Sequence, residues 1–225
     1  MKSTRFLTAA LLGGGLALAA SGAASAATMF SSFTAWSVAV SNSCQTTSGE
    51  GGADFTSHTS IGPLLCGSTL SSINPSVETR TVGTSWSTWQ GQPGSDGTTV
   101  FFDDTTSLTA NFTPGTILGH PVDAFGFYME PDTFSTFDIT LHLSDGSEIT
   151  QSVNGDGGAD FFGWVGSGIT GITITTTDDG GFAFGDFFEG FAPGAEKVPE
   201  PLTLSLFGAG LAGAAALRRR RKSAA

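Results

Sequence analysis

Apolar and polar residues alternate with a period of two between residues 137 and 143. The apolar set, which would share one face of an extended backbone, is Phe137, Ile139, Leu141 and Leu143. Asp145 and Gly146 follow, and then a second short segment, Ser147–Val153. Asp-Gly is the dipeptide that a two-residue type I′ hairpin turn prefers. The pattern therefore predicts an antiparallel β-hairpin with one buried face.

The same kind of short segment recurs through the middle of the chain, where residues 28–195 show no helical apolar period. The further strand candidates are Phe33–Val40, Thr98–Phe102, Ser107–Phe112, Val122–Met129, Ala159–Val165, Ile169–Thr177 and Gly181–Phe191. The sequence has 32 glycines, about twice the ordinary usage, and they supply turn signals between these segments. We predict one all-β domain over residues 27–197, an antiparallel β-sandwich or jelly roll, with residues 41–97 rich in loops.

Charge is unevenly distributed along the chain. Residues 27–197 contain 19 acidic residues and two basic ones, Arg80 and Lys197, for a formal charge of −17. Such a surface repels phosphate backbones, which excludes nucleic acid as a partner. The composition predicts a solvated acidic surface that favours cations or basic partners.

The N-terminus has the three parts of a secretory signal peptide. Met1–Arg5 is basic, Phe6–Ala20 is apolar, and Ala24-Ser25-Ala26 offers the small side chains that signal peptidase admits. We predict a signal peptide over residues 1–26 with cleavage after Ala26, and Ala27 as the second choice. The alternative is a retained membrane anchor.

Cys44 and Cys66 are the only cysteines, and both lie in the part of the chain predicted to be exported. An even count in an oxidising compartment favours a disulfide, which would stabilise the fold by about 3 kcal/mol on the chain-entropy model. The alternative is two free thiols. Two cysteines without a CxxC spacing support neither a redox motif nor a thiolate zinc site.

The C-terminus combines three elements in a fixed order. Pro199, Glu200 and Pro201 form a stiff extended segment that a protease can bind in strand-like form. The uncharged segment Leu202–Leu217 would span about 24 Å as a helix, a marginal transmembrane length. The basic residues that follow, and that would anchor it on the cytoplasmic side, are Arg218, Arg219, Arg220, Arg221 and Lys222. The positive-inside rule then places residues 27–201 outside the inner membrane.

This arrangement resembles the PEP-CTERM sorting signal of exported proteins of Gram-negative bacteria, over residues 198–222. The resemblance implies that an exosortase recognises Pro199, Glu200 and Pro201. It also implies that the precursor is held transiently in the inner membrane and then passed to the cell envelope surface or the extracellular space. Such systems accompany exopolysaccharide and biofilm production, so exopolysaccharide is an implied partner beside the exosortase and signal peptidase.

The later half of the domain, Val122–Phe191, resembles a β-rich segment common in PEP-CTERM proteins. The matching segments are Phe161-Phe162-Gly163-Trp164, Ile169-Thr170-Gly171-Ile172 and Gly181-Phe182-Ala183-Phe184-Gly185-Asp186. The family pattern often has an acid where this chain has Gly185. A binding role of that acid in relatives would not carry over to this chain.

Two glycine-rich loops carry acidic side chains that suit calcium. Asp156 and Asp160 lie in one loop, and Asp178 and Asp179 in the other. Carboxylate oxygens on a flexible backbone are ligands that Ca²⁺ favours, although neither loop has the EF-hand spacing. The alternative is that these residues serve only as turn formers.

Signals for catalysis are weak. His58, His120 and His142 are scattered, and the neighbours Asp103 and Asp104 would point to opposite faces of a strand. We therefore predict a non-enzymatic envelope or matrix protein with no cofactor other than calcium. One alternative is a carbohydrate-binding module that docks on exopolysaccharide, for which Trp86 and Trp89 could form a stacking platform. A second alternative is an extracellular glycoside hydrolase with an unrecognised carboxylate site.

Overall fold

The computed structural model describes residues 26–46, 52–89, 99–132 and 135–193. Within these residues the chain forms one short helix, α1 (Phe33–Ala39), and sixteen strands. In chain order the strands are β1 (Thr28–Phe30), β2 (Ser41–Thr46), β3 (Ser57–His58), β4 (Ser60–Ile61), β5 (Thr69–Asn74), β6 (Val77–Thr81), β7 (Thr99–Asp103), β8 (Ser107–Thr113), β9 (Thr116–Ile117), β10 (His120–Pro121), β11 (Ala124–Pro131), β12 (Thr136–Leu143), β13 (Glu148–Asn154), β14 (Asp160–Val165), β15 (Gly171–Thr176) and β16 (Phe182–Phe191).

The two terminal signals fall outside this region. The predicted signal peptide up to residue 25 and the predicted sorting segment 198–222 are not among the described residues. Within the described ranges, no helix combines the length and the apolar character needed to cross a membrane.

The domain consists of two antiparallel sheets. Sheet I has the strand order β1-β14-β11-β16-β7-β6-β3, and β2 also pairs with β16. Sheet II has the order β13-β12-β15-β8-β5-β4, while β9 and β10 form a separate small pair. The predicted all-β, sandwich-like fold is confirmed.

The main core lies between the two sheets. Phe125 and Phe127 of β11 enter it from sheet I, and Ile139 and Leu141 of β12 enter it from sheet II. The polar residues between Ile139, Leu141 and Leu143 stay on the outer face of sheet II. The alternation in the sequence therefore corresponds to a sheet with one buried face.

The outer face of sheet I is covered by a second layer, which consists of α1 and segment 82–89. Trp36, Trp86 and Trp89 of this layer form an apolar cluster with Tyr128 and Phe188 of the sheet. β11 and most of β16 are consequently buried on both faces. Strands in such a position have continuous apolar sequences without alternation.

Most of the predicted strands are confirmed, with ends that shift by no more than two residues. These are the segments predicted at residues 98–102, 107–112, 122–129, 137–143, 147–153, 159–165, 169–177 and 181–191.

The strand predicted over Phe33–Val40 is wrong, because this segment forms helix α1. Helical spacing places Phe33 and Trp36 on one face. There the Phe33 ring lies 4.7 Å from Phe188, and the Trp36 ring lies 5.9 Å from Phe161. The Trp36 indole also donates a hydrogen bond to the carbonyl of Trp164 at 3.1 Å. These packing contacts override the strand propensity of the segment.

Residues 41–97, predicted to be rich in loops, contain loops such as 52–56 and 62–68 but also five strands. β2 pairs with β16, β5 pairs with β8, and β6 pairs with β7. The sequences of β2 and β5 are mostly Ser, Thr, Asn and Gln, since these strands bury few side chains. Apolar periodicity cannot detect a strand of this kind.

The hairpin between β12 and β13 is confirmed, but its turn is not the predicted two-residue type I′ turn. The amide of Gly146 donates to the carbonyl of Leu143 at 3.0 Å, and the amide of Leu143 donates to the carbonyl of Ser147 at 2.8 Å. Only Gly146 has a positive φ, +88°, whereas type I′ needs it at both central residues. The loop is therefore a three-residue turn closed by a glycine bulge.

Candidate functional site

Two buried carboxylates lie on the outer face of sheet I beneath segment 82–89. Glu130 is 0% exposed, and its Oε2 accepts a hydrogen bond from the Trp86 indole at 3.0 Å. Asp186 is 2% exposed, and its Oδ2 accepts one from the Trp89 indole at 2.8 Å. We call these four residues the acid–indole cluster. Its two hydrogen bonds hold segment 82–89 against the sheet.

A β-bulge in β16 places Asp186 in this cluster. The register between β11 and β16 shifts between Gly126 and Tyr128, so that β16 contains an extra residue. Asp186 adopts φ +52°, a left-handed conformation that Asp tolerates better than most residues. After the bulge, Phe187 enters the main core and Phe188 the outer layer. Bulges commonly redirect a side chain in this way.

Burial changes the proton affinities around the cluster. Desolvation raises the pKa of Glu130, and hydrogen bonds from Thr88 and Trp86 oppose this shift. Desolvation, followed by the nearby Asp186 and Asp160 carboxylates, raises the pKa of the Tyr128 phenol. Desolvation also raises the pKa of Asp160. In each of these groups burial shifts the balance towards the neutral form, because desolvation penalises charge.

A cavity of about 210 Å³ opens beside Tyr128 and Asp160. It is closed on the other side by the turn before α1, and its lining residues are Ser31, Ser32, Phe33, Thr34, Tyr128, Asp160 and Phe161. The volume and the mixed lining would suit a few waters or a small polar molecule.

The structure does not support the stacking platform suggested for Trp86 and Trp89. Their exposed fractions are only 6% and 2%. The Trp86 ring packs 5.5 Å from Phe102, and both indole N–H groups bind the buried carboxylates. Both indole rings are therefore buried in the protein and are not accessible for stacking on a sugar.

The four candidate calcium ligands lie at one end of the sandwich, which we call the acidic end. Its acidic residues are Asp103, Asp104, Asp132, Asp156, Asp160, Asp178 and Asp179. Asp156 and Asp179 are exposed, whereas Asp178 is buried and its Oδ1 accepts from the Gly180 amide at 2.8 Å. In the described part of the chain, no three His, Cys, Asp or Glu side chains converge as a metal site. Calcium binding stays a prediction.

The predicted disulfide between Cys44 and Cys66 is confirmed, with the two Cα atoms 6.2 Å apart. It joins β2 to the loop before β5. Buried Glu189 of β16 holds the same loop, because its carboxylate accepts from the amides of Cys66 at 2.7 Å and Ser68 at 2.9 Å. Sequence reasoning missed Glu189, since its partners are backbone amides that leave no signal in the sequence.

The three histidines lie apart and in different surroundings. His58 bonds with the Thr79 hydroxyl at 2.8 Å. His120 stacks on Phe191 at 4.7 Å, and His142 pairs with Glu148 at 3.1 Å. No two of these histidines share a site.

The outer face of sheet II is rich in hydroxyl groups. One row across four strands consists of Ser107, Thr175, Thr140 and Thr150. Beside it lies an open groove of about 270 Å³, whose polar lining residues are Ser72, Thr109, Asn111, His142, Ser144 and Thr173. This face could donate and accept many hydrogen bonds, and no Phe, Tyr or Trp lines its groove.

Residues 27 and 192 lie at the same end of the sandwich, opposite the acidic end. Asp123 connects them, since its carbonyl accepts from the Gly166 amide at 2.7 Å and its carboxylate accepts from the Ala192 amide at 2.6 Å. Ala27 packs so closely on Gly166 that a Cβ at position 166 would come within 2.8 Å of the Ala27 Cα. We call this the terminal end.

Comparison with known proteins identifies one region of the chain. Residues 197–221 match the model of the PEP-CTERM protein-sorting motif. This confirms the resemblance inferred from the sequence, and it includes Pro199, Glu200, Pro201 and the arginine cluster. No curated protein matches the sequence significantly.

One solved structure is similar over part of the fold. It is a glycoside hydrolase family 43 arabinoxylan arabinofuranohydrolase from Bacillus subtilis, crystallised with cellotetraose. The identity is 16%, and the similar region covers 52% of this chain and 24% of that chain with a TM-score of 0.30. A likeness at this level carries no argument about activity.

Proposed function

We propose that this chain, which carries a PEP-CTERM protein-sorting motif, is a non-enzymatic protein of the cell envelope or extracellular matrix. The motif implies an exported precursor that is anchored in the membrane and processed by an exosortase. The observation that carries the proposal is the position of the motif, since it begins at residue 197, a few residues after the last strand of the β-domain, β16, ends at Phe191. The domain is thus the cargo that the motif delivers.

The positions of Ala27 and Ala192 support this route. Both residues lie at the terminal end, and they are linked through Gly166 and Asp123. A signal peptide before Ala27 and an apolar segment after Pro201 would therefore both approach one membrane from the same side of the domain. The acidic end would then point away from the membrane.

The use of the buried acids supports a structural rather than a catalytic role. Glu130 and Asp186 bind indoles, Glu189 binds backbone amides, and Asp103 binds the amide and hydroxyl of Thr105. Each carboxylate serves the packing of a loop or strand. A general acid or base needs access to substrate, which these buried groups do not offer.

The route is tested by Glu200→Ala in the full-length chain, expressed in its own host, with both flanking prolines kept. We expect the uncut precursor to accumulate in the inner membrane, because the apolar segment and its arginines still insert. Glu196→Ala is the matched control, since residue 196 lies just outside the motif, and we expect normal processing. Normal processing of Glu200→Ala would overturn the proposal.

A second candidate function is the binding of exopolysaccharide on the outer face of sheet II. The hydroxyl-rich groove favours it, because neutral polysaccharides are bound through many hydrogen bonds. Binding of the exported protein on a glycan array should weaken with Thr173→Val and persist with Thr28→Val, which alters an exposed residue of sheet I. An array without any bound glycan would contradict this candidate.

A further inference from the structure

Ala27 is held at both of its backbone polar groups by the loop between β12 and β13. Its amide nitrogen donates a hydrogen bond to Oδ2 of Asp145 at 2.7 Å. Its carbonyl accepts one from the Ser147 hydroxyl at 3.3 Å. The partners are more than a hundred residues apart in sequence, so this contact belongs to the folded domain alone.

The side chain of Ala27 is also in place, because it packs against the main core and over Gly166. β1 starts at the next residue and pairs with β14, with Thr28 opposite Val165. Ala26, in contrast, is exposed. Among the described residues, contacts with the rest of the domain thus begin at Ala27, which follows the predicted cleavage site.

Cleavage there changes the chemistry of the nitrogen that faces Asp145. Hydrolysis breaks the Ala26–Ala27 peptide bond, and water supplies a hydroxyl to the Ala26 carbonyl and a proton to the Ala27 nitrogen. The new α-amine takes up a further proton from solvent at neutral pH, since its ordinary pKa is about 8. A neutral amide donor becomes an ammonium group, and hydrogen bonds between charged groups are shorter and stronger.

The Asp145 carboxylate is suited to bind a positively charged amine. Desolvation is the largest single effect and would raise the pKa of Asp145, but the hydrogen bonds from the amides of Ser147 and Ala27 and from the Ser147 hydroxyl together outweigh it, so the pKa is lowered. The carboxylate is therefore ionised at neutral pH. The Ser147 amide binds Oδ1 at 2.9 Å, which leaves Oδ2 directed at Ala27.

We infer that Asp145 is the binding site for the mature N-terminus, and that removal of the signal peptide creates an Ala27–Asp145 ion pair that holds β1 at the edge of sheet I. The inference rests on the proposed export route. Cleavage would then change the structure as well as the location of the protein, because the processed domain gains the Ala27–Asp145 ion pair that the precursor lacks.

The other described titratable side chains at this end are Asp123, bound to the Ala192 amide, Glu189, bound to the Cys66 and Ser68 amides, His120, stacked on Phe191, and the His142–Glu148 pair on the outer face of sheet II. None of them is an amine, thiol or phenol. A change between about pH 7 and pH 10 in the stability of this end therefore reports on the α-amino group. The ion pair raises the amine's pKa in the folded state, so its contribution is present at neutral pH and is lost as pH rises through that value.

The test uses protein exported by its own host from the full-length gene, as wild type, Asp145→Asn and the control Asp104→Asn at the acidic end. Mass spectrometry gives the N-terminus, and thermal unfolding is followed from about pH 7 to pH 10. We expect an Ala27 terminus and a melting temperature about 1–4 °C lower for Asp145→Asn at neutral pH. That difference should shrink towards pH 10, whereas the effect of Asp104→Asn should not vary over this range.

The outcomes separate the two claims. A terminus other than Ala27 would end both the cleavage assignment and this inference. An Ala27 terminus with a pH-independent difference would show that Asp145 only stabilises its own turn, and export would stand. If Asp145→Asn does not accumulate, the pKa of the Ala27 α-amine is measured in the wild-type protein instead. The amine is labelled by ¹³C-methylation and titrated by NMR. A pKa above the reference of about 8 supports the ion pair, and one at or below it overturns the inference.

Discussion

The buried acids of this domain are each bound by a specific donor. Asp103, Glu130, Asp178, Asp186 and Glu189 are buried although residues 27–193 contain a single basic side chain, Arg80. That guanidinium pairs with Glu78 at 3.0 Å and lies over the rings of Phe55 and Phe102. The buried carboxylates therefore depend on amides, hydroxyls and indoles, which cost less to bury than a second set of charges.

Asp103 gives the clearest consequence of this burial. Desolvation, with a smaller effect of Asp104, raises the pKa of Asp103 to about 6 against the hydrogen bonds from Thr105. The folded protein then binds this proton more tightly than the unfolded chain does. The free energy of unfolding should therefore fall as pH rises from about 4 to about 6 and stay lower above that, by about 3 kcal/mol for this group.

We predict that Asp103→Asn stabilises the domain at about pH 7.5, because the amide cannot ionise, and that the gain disappears below about pH 4. Chemical denaturation at several pH values measures it. The exposed neighbour provides the control, and Asp104→Asn should have a much smaller effect. Equal stability of wild type and Asp103→Asn across this range would contradict the burial of a charge at this position.

Whether an element could be predicted from the sequence depends on its position in the sandwich. β12 borders the core on one face, so its alternation could be predicted residue by residue. β2 carries polar residues beside β16, and α1 is fixed by ring contacts with Phe161 and Phe188. The local sequence does not predict β2 or α1, because the structure of each segment depends on the distant residues that pack against it.

Glycine pairs in the centre of sheet I depend on the same kind of distant contact. Gly126 of β11 lies opposite Gly163 of β14, and the Phe161 ring lies across both. A Cβ at Gly126 would approach the ring Cε2 to 2.8 Å, and one at Gly163 would approach Cε1 to 2.7 Å. The two glycines thus provide the space in which this buried ring packs.

We predict that Gly126→Ala destabilises the domain by about 1–3 kcal/mol through overpacking. Gly171→Ala in β15 is the matched control, because its Cβ would meet nothing nearer than 3.5 Å. That variant should be neutral or stabilising by about 0.4–1 kcal/mol. Denaturant midpoints of both proteins measure the difference, and a Gly126→Ala variant as stable as Gly171→Ala would show that Phe161 does not need this space.

At the scale of the whole molecule, the sandwich has two different ends. Ala27 and Ala192 both lie at the terminal end, and the candidate calcium ligands Asp156 and Asp179 are exposed at the acidic end. The sequence predicts the signal peptide and the sorting motif, because each is a short continuous segment of the chain. It does not predict which acids are exposed, because burial depends on the pairing of strands far apart in sequence.

Calcium binding is predicted from the loops around Asp156 and Asp178. Millimolar calcium should raise the melting temperature more than magnesium does, since magnesium requires stricter geometry and loses water reluctantly. Asp179→Asn should reduce the calcium effect, whereas Asp138→Asn, an exposed acid on sheet II, should leave it unchanged. Equal shifts with both cations would indicate general screening of repulsion instead of a site.

If the motif at residues 197–221 delivers the domain, its apolar and basic part is removed during processing. The most direct measurement is the intact mass and C-terminal peptide of the wild-type protein isolated from its own host. We expect a mature C-terminus near residues 199–201, with Leu202–Ala225 lost. Mature protein that still contains Leu202–Ala225 would show that this segment is a permanent anchor and that no sorting cleavage takes place.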